Sequence, residues 1–188
     1  MDKNVITLPD ESLAILRSLV GSTWQAFGGR NMPPRLSQPF AVFITTDEGD
    51  ITIHSEAGWY REENEDVTYA ELTVAHGASD VARSKANGGW YPLSRGEKIV
   101  DVTIIRDTIT YDVDDTRLWS TTIDIGIIFI LNHSAIAIMG DGYSDEMLIV
   151  RHAKSIENLT LPSFSDRYHD RLGEKTVISR TFVPVPPK

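Results

Sequence analysis

The sequence predicts a mainly β fold, with an α+β arrangement as the alternative, in which one N-terminal helix packs on an antiparallel curved sheet or partial barrel. Two observations support this prediction. From residue 99 onward, apolar and polar residues alternate over short segments, as they do in strands with one face in water. Turn-forming residues separate these segments at close intervals, and few long helical patterns lie between them.

The N-terminal helix is predicted over about residues 10–20. Asp10 and Glu11 suit the positive end of a helix dipole, and Gly21 ends the pattern. The apolar residues at helical spacing are Leu13, Leu16, Leu19 and Val20. We therefore expect the apolar stripe of this helix to cover one face of the sheet.

The first strands are predicted between residues 40 and 75. Residues 40–46 and 51–55 are rich in β-forming residues, and Gly49 lies between them where a hairpin turn needs a positive φ. Residues 67–75 indicate a third strand, with one apolar face made by Ala70, Leu72 and Val74. Glycine and proline predict loops before and after this region, at residues 28–35 and 87–92.

The clearest strand pattern is a predicted meander over about residues 99–150. The first strand has an apolar face made by Val100, Val102 and Ile104, and residues 106–107 should then turn the chain. Residues 125–131 are apolar at nearly every position, which indicates a central strand buried on both faces. Residues 184–188 form an extended tail, and the whole chain, residues 1–188, is expected to be one domain.

Composition excludes several classes of protein and site. The chain has no cysteine, so disulfides, thiolate metal sites and cysteine nucleophiles are excluded. The N-terminus lacks the pattern of a signal peptide, and the longest apolar run is too short to span a bilayer. We therefore expect a cytoplasmic protein. The motifs of metal and cofactor sites do not occur, so neither a metal nor a cofactor is predicted.

The negative charge of the chain is concentrated in one segment. The net charge is −9, and residues 37–75, with nine acidic residues and one arginine, carry −8 of it. Such a field disfavours nucleic acid and anionic membranes as partners. It favours a basic protein partner, although a charged, solvated surface without a partner has the same pattern. The sequence leaves the formation of homo-oligomers open.

The candidate binding surface lies mainly in this segment, in two acidic loops next to the aromatic pair Trp59 and Tyr60. One loop is the hairpin tip at residues 47–50, and the other is the acidic run at residues 62–66. If both loops share one end of the sheet, they form a negative rim around the aromatic pair, as a protein-binding surface often does. Otherwise they are two unrelated solvated loops. The candidate residues are Asp47, Glu48, Asp50, Trp59, Tyr60, Glu62, Glu63, Glu65 and, after two glycines, Trp90.

Three functions fit these observations, in the following order. The first is a non-catalytic binding module that neutralises a basic partner, as an immunity protein or an inhibitor does. The second is a β-barrel-like protein that binds a small ligand in an apolar pocket between the curved sheet and the helix. The third is a hydrolase that uses His76 or His152 as a base beside a carboxylate in a cleft.

Overall fold

Ten strands and two α-helices form the fold in the part of the chain that the structure, a computed structural model, describes: residues 2–30, 41–62, 65–77, 88–113, 116–141, 147–168 and 176–186. The elements are β1 (Asp2–Ile6), α1 (Asp10–Leu19), β2 (Thr23–Arg30), β3 (Ala41–Thr46), β4 (Gly49–Glu62), β5 (Glu65–His76), β6 (Gly88–Val113), β7 (Thr116–Leu131), β8 (Ala135–Gly140), β9 (Leu148–Ala153), a 3-10 turn (Ile156–Asn158), α2 (Phe164–Tyr168) and β10 (Thr176–Pro184). Neither helix is long and apolar enough to cross a membrane.

All ten strands belong to one sheet. Its main order is β5-β4-β3-β2-β6-β7-β8-β9, while β10 pairs with β6 and β1 pairs in parallel with β7. The other pairings are antiparallel, and the described strands do not close, because β5 and β9 end the path. The predicted fold class, a mainly antiparallel curved sheet with one N-terminal helix packed on it, is thereby confirmed.

Strand β6 joins the two halves of the sheet. Residues 88–92 and 97–98 pair with β2, residues 99–113 pair with β7, and residues 103–111 also pair with β10 on the other edge. The predicted loop at residues 87–92 is wrong from residue 88 onward, and the predicted turn at residues 106–107 is wrong as well. Glycine, proline and aspartate are local turn signals, and pairing with neighbouring strands outweighs them here.

A β-bulge at Val100 changes the face on which this residue lies. The register with β7 shifts between Ile99 and Asp101, so Val100 has no partner of its own. Val100 is 55% exposed, whereas Ile99 and Val102 are fully buried. The apolar face predicted for this strand is therefore confirmed for Val102 and Ile104 and wrong for Val100.

The first apolar cluster packs α1 against both halves of the sheet. The helix contributes Ile15, Leu16 and Leu19. Trp24 of β2 is buried in the same cluster, and its ring meets Phe27 and Phe129 edge-on at centroid distances of 6.1 and 4.9 Å. Edge-to-face aromatic pairs add to the stabilisation from buried area. These contacts connect β2 with β7, which are not neighbours in the sheet.

The second apolar cluster lies on the opposite face of β6–β9. Its strand members from β6 to β9 are Ile105, Ile109, Ile123, Ile125, Ile128, Ala137, Met139 and Ile149. Tyr168 of α2 is buried in this cluster, and Leu159, Leu161 and Phe164 pack at its border. We call residues 159–168 the C-terminal strap. Residues 125–131 contribute to both clusters, which confirms the predicted central strand.

The two terminal strands of the sheet, β5 and β9, are protected in different ways. On the outer edge of β5, the Ser12 hydroxyl of α1 donates to the carbonyl oxygen of Val74 at 3.2 Å and accepts the Val74 N–H at 2.9 Å. At the other end, β9 carries the exposed Arg151, and a charged side chain of this kind hinders pairing with another chain. Beyond β10, Val185 is buried, and its N–H donates to the carbonyl oxygen of Val102 at 2.9 Å. This hydrogen bond holds the extended tail on β6.

Candidate functional site

The β3–β4 hairpin tip carries the first group of candidate residues. Gly49 has a φ of 131°, which confirms the positive φ predicted for the turn. Asp47 at the tip is tied to β2, because its Oδ1 accepts the Thr23 N–H at 2.7 Å and its own N–H donates to the Thr23 carbonyl oxygen at 3.1 Å. The hydrogen bond from the Thr23 backbone lowers the pKa of Asp47. Asp47 therefore has a structural role, while Glu48 beside it is exposed.

The two acidic loops lie at opposite ends of β4. This strand has 14 residues and runs from the hairpin tip at Gly49 to Glu62, which pairs with Glu65 of β5. At a rise of about 3.3 Å per residue, the two ends are roughly 40 Å apart. The condition for one acidic rim is therefore not met, and Asp47, Glu48 and Asp50 are separate from the second loop. Glu63 lies outside the described residues, as do the side chains of Tyr60, Glu62, Glu65 and Trp90.

Trp59 lies near the second loop and is the most exposed of the large apolar side chains in the described residues. It pairs with Thr68 across the β4–β5 ladder, and 69% of its surface is exposed. The backbone of Trp90 belongs to a different row of cross-strand partners, in which Trp90 pairs with Gly28, Gly28 with Phe43, and Phe43 with Thr52 of β4. At a standard rise per residue, roughly 25 Å separate this row from the row of Trp59 along β4. The structure therefore does not bring Trp59 and Trp90 together.

Two glutamates that were not among the candidate residues face each other near Trp59. Glu56 of β4 and Glu71 of β5 are direct cross-strand partners. The neighbouring residues Ser55, Ala70 and Leu72 are buried on one face of the sheet, so the two glutamates lie on the other face, which also carries Tyr69. The face on which Glu71 lies could have been found from the sequence, because Glu71 alternates with the predicted apolar face of β5, but its pairing with Glu56 could not.

The paired ends of β4 and β5 carry these residues. We call residues 56–62 and 65–71 the acidic arm. The arm contains five acidic residues and one arginine, together with the exposed Trp59. Trp59 is three positions from Glu56 in a ladder without a register shift, so its indole lies on the opposite face from Glu56 and Glu71. Directly opposed like charges destabilise a strand pair, so the Glu56–Glu71 pair is unfavourable in the free protein. A cationic partner would relieve this repulsion on one face of the arm, and the exposed indole offers an apolar contact on the other.

An open groove lies between α1 and β5. It has a volume of about 660 Å³, and its lining residues are Glu11, Ala14, Ile15, Ser18, Val74, Ala75 and His76. His76 and Glu11 thus share one groove, yet no hydrogen bond or ion pair joins them in the described structure. His152 is exposed on the edge strand β9, opposite Ile136. Within the described ranges, no three potential ligands among histidines and carboxylates converge on a metal position.

A buried ionic network that sequence reasoning missed holds the C-terminal strap. Arg180 of β10 donates from Nε and Nη2 to the two oxygens of the buried Asp107, at 2.7 and 2.8 Å. Tyr168 donates its hydroxyl to the same carboxylate at 2.8 Å. Burial lowers the pKa of Arg180, but the hydrogen bond and charge of Asp107 outweigh it, so the pKa is raised. No local signal marks these partners, since 73 residues separate Asp107 from Arg180.

A second ion pair lies on the other face of β6. Arg106 donates from Nε and Nη2 to Asp124 at 2.6 and 3.2 Å, and the Leu8 N–H also donates to this carboxylate at 2.9 Å. The hydrogen bond with Asp124 raises the pKa of Arg106. This site anchors the segment between β1 and α1 to the centre of the sheet.

Comparison of the chain with protein-family models, curated proteins and solved structures finds no match.

Proposed function

We propose that the protein is a non-catalytic binding module whose acidic arm engages a basic partner protein, in the manner of an immunity protein or an inhibitor. The observation that carries this proposal is Trp59, which is 69% exposed on a strand that also places Glu56 opposite Glu71. Tryptophan is enriched among the residues that dominate binding energies, and burial of its ring in a partner removes a large apolar surface from water.

The charge of the arm supports a cationic partner. A lysine or arginine inserted between Glu56 and Glu71 would replace a cross-strand repulsion with two attractions. The same charges would steer a basic protein toward the arm, so association should slow as ionic strength rises. The binding surface is thus narrower than the acidic segment as a whole, because the hairpin tip at residues 47–50 lies at the far end of β4.

Charge reversal on the arm, with a matched reversal at the other end of β4, tests the proposal. Proteins captured from a lysate by the wild-type chain are identified, and each one is then purified and titrated against Trp59→Ala, against Glu56→Lys/Glu71→Lys and against Glu48→Lys. We expect a basic protein whose Kd weakens at least about tenfold with the first two variants, a loss of about 1.4 kcal/mol, and is unchanged with the third. Equal affinity of all three variants would remove the arm as the site.

A second candidate function, small-ligand binding, rests on the groove between α1 and β5. Ala14, Ile15 and Val74 provide apolar lining, and the Glu11 carboxylate is the anionic group in it. This combination suits a small ammonium ligand with an apolar body. In an NMR titration, cyclohexylamine should shift the amide signals of Ala14 and Ala75, whereas cyclohexanecarboxylate should not. Ala14→Trp, which fills the groove, should abolish the response, and a response that persists in this variant would contradict groove binding.

A further inference from the structure

The C-terminal strap and the acidic arm meet in one apolar cluster. We propose that docking of the strap on β6 sets the position of the acidic arm through this cluster, so that the strap regulates partner binding without contacting the partner. The regulatory effect rests on the proposed function of the arm. The mechanical coupling between strap and arm does not, because it operates in the free protein.

Arg180 fastens the strap to the sheet through three different groups. Its guanidinium binds Asp107 with two hydrogen bonds, and Nη1 donates to the carbonyl oxygen of Pro162 in the strap at 3.0 Å. Its Cζ also lies 4.9 Å from the centroid of the Phe164 ring, within the range of a cation–π contact. Tyr168 completes the attachment with its hydrogen bond to Asp107. The strap is therefore held mainly at one carboxylate.

The strap covers apolar side chains of β6 to β9. Tyr168 is buried against the second apolar cluster, with Leu159, Leu161 and Phe164 partly buried around it. If the hydrogen bonds to Asp107 are lost, these side chains lose their position, and the isoleucines beneath them gain contact with water. Loosening of the strap must therefore loosen the cluster.

The arm reaches this cluster through one side chain in the described residues, Tyr69 of β5. Its ring lies directly over Gly58 of β4, where an added Cβ atom would be within 2.4 Å of the Tyr69 Cζ. Only glycine allows this close approach. The Tyr69 ring therefore packs both against the backbone of β4 at Gly58 and in the second apolar cluster. Trp59 is the next residue after this seat, and residues 60–62 and 65–68 of the arm extend beyond it, whereas Glu56 and Glu71 lie before it.

Hydrogen exchange of the full chain without a partner tests the coupling. Tyr168→Phe keeps the ring and removes only the hydroxyl that binds Asp107, and Ser179→Ala changes an exposed neighbour of Arg180 as the matched control. We expect Tyr168→Phe to accelerate exchange at least about tenfold in both residues 159–168 and residues 57–62, because the variant removes a hydrogen bond to a charged group; a tenfold change corresponds to about 1.4 kcal/mol. Ser179→Ala should leave both segments at the wild-type rate.

Two results would overturn the proposal. Faster exchange in the strap with a wild-type rate in the arm would show that Tyr69 transmits nothing, and an unchanged strap would show that the Asp107 attachment does not hold it. Arg180→Lys provides a second release variant that keeps the charge, and Tyr69→Leu should loosen the arm while the strap remains docked. If coupling is observed but charge reversal on the arm leaves every captured partner unaffected, the proposed function fails and the coupling stands.

Discussion

Arg106 and Asp107 are consecutive residues of β6, and each forms a two-point ion pair on a different face of the sheet. Arg106 binds Asp124 of β7 on the face of the first apolar cluster, and Asp107 binds Arg180 of β10 on the face of the second. The same strand thus supplies the cation on one side and the anion on the other. Both pairs join β6 to a direct neighbour in the sheet, so they reinforce the register at its centre.

Removal of Asp124 from the Arg106–Asp124 pair should be destabilising. Asp124→Leu leaves the partly exposed Arg106 guanidinium and the Leu8 N–H without their acceptor, and a buried donor left unsatisfied lowers the free energy of unfolding by about 1–3 kcal/mol. Urea denaturation measures the change. The double variant Arg106→Met/Asp124→Leu should lose less than the single one, because no charge remains unpaired; a larger loss would contradict this view of the site.

Ser12→Ala should destabilise the junction between α1 and β5. The variant leaves both backbone groups of Val74 without a partner in a buried position, at a cost of about 1–3 kcal/mol in the free energy of unfolding. Ser18→Ala in the same helix is the control, since the Ser18 hydroxyl binds only the Ile15 carbonyl oxygen. Equal changes in the urea midpoint for the two variants would show that the contact with Val74 adds no stability.

The contribution of Asp47 to stability should depend on pH in the acid range. Its pKa in the folded protein is below the ordinary value of 3.8, so its charged form is favoured by folding. The stabilisation is complete above that ordinary value and disappears as the pH falls through the folded pKa. Wild type should therefore exceed Asp47→Asn in stability at neutral pH, with the difference vanishing in acid. A difference that is constant with pH would mean that the carboxylate charge is not involved.

Glu71→Lys should change stability and binding in opposite directions. The substitution replaces a cross-strand repulsion with an attraction to Glu56, which should raise the free energy of unfolding by about 0.2–1 kcal/mol at low salt. The same change removes a negative charge from the acidic arm and should weaken a basic partner. Thermal denaturation at low and high salt measures the first effect, with Glu48→Lys as the control. A loss of stability would indicate that Glu71 has a favourable contact in the free protein.

Val185→Ala should be costly for a residue so near the C-terminus. Val185 is 1% exposed, and loss of two buried carbon atoms corresponds to about 1–2 kcal/mol in the free energy of unfolding. Val177→Ala in β10 removes the same atoms from a side chain that is 57% exposed, and it should change stability by less than about 0.5 kcal/mol. If both variants behave alike in urea, the tail does not contribute to the core.

The elements that could be predicted from sequence are those with a strong local pattern. Two such patterns predict burial directly, and the residues are buried: the apolar run at residues 125–131 and the alternation of Ala70, Leu72 and Val74. Strand β1 and the continuous course of β6 could not be predicted in this way. β1 is positioned by a parallel pairing with residues more than 100 positions away, and β6 runs through turn-forming residues because strands pair with it on both edges.

The sequence shows where the acidic residues are concentrated, but not how they are arranged. The separation of the two acidic loops depends on the length of β4, which extends through Gly58 instead of ending before it, and the exposure of Trp59 does not follow from composition. Glu56 and Glu71 become a pair only when the register of the hairpin is known. Charge content is thus visible in a sequence, whereas the opposition of particular charges is a property of strand pairing.

The bulge in β7 adds one residue to the strand without changing the pairing on either side of it. Ile125 is the extra residue where Ile105 pairs with Gly126 and Arg106 pairs with Asp124. Because of this extra residue, Ile125 and Ile128 both reach the second apolar cluster although they are three positions apart. A deletion elsewhere in the strand would instead move the residues on one side by one position and exchange their apolar faces. Homologous chains should therefore vary in length at the turns between strands or at residue 125, while the rest of β7 keeps its length.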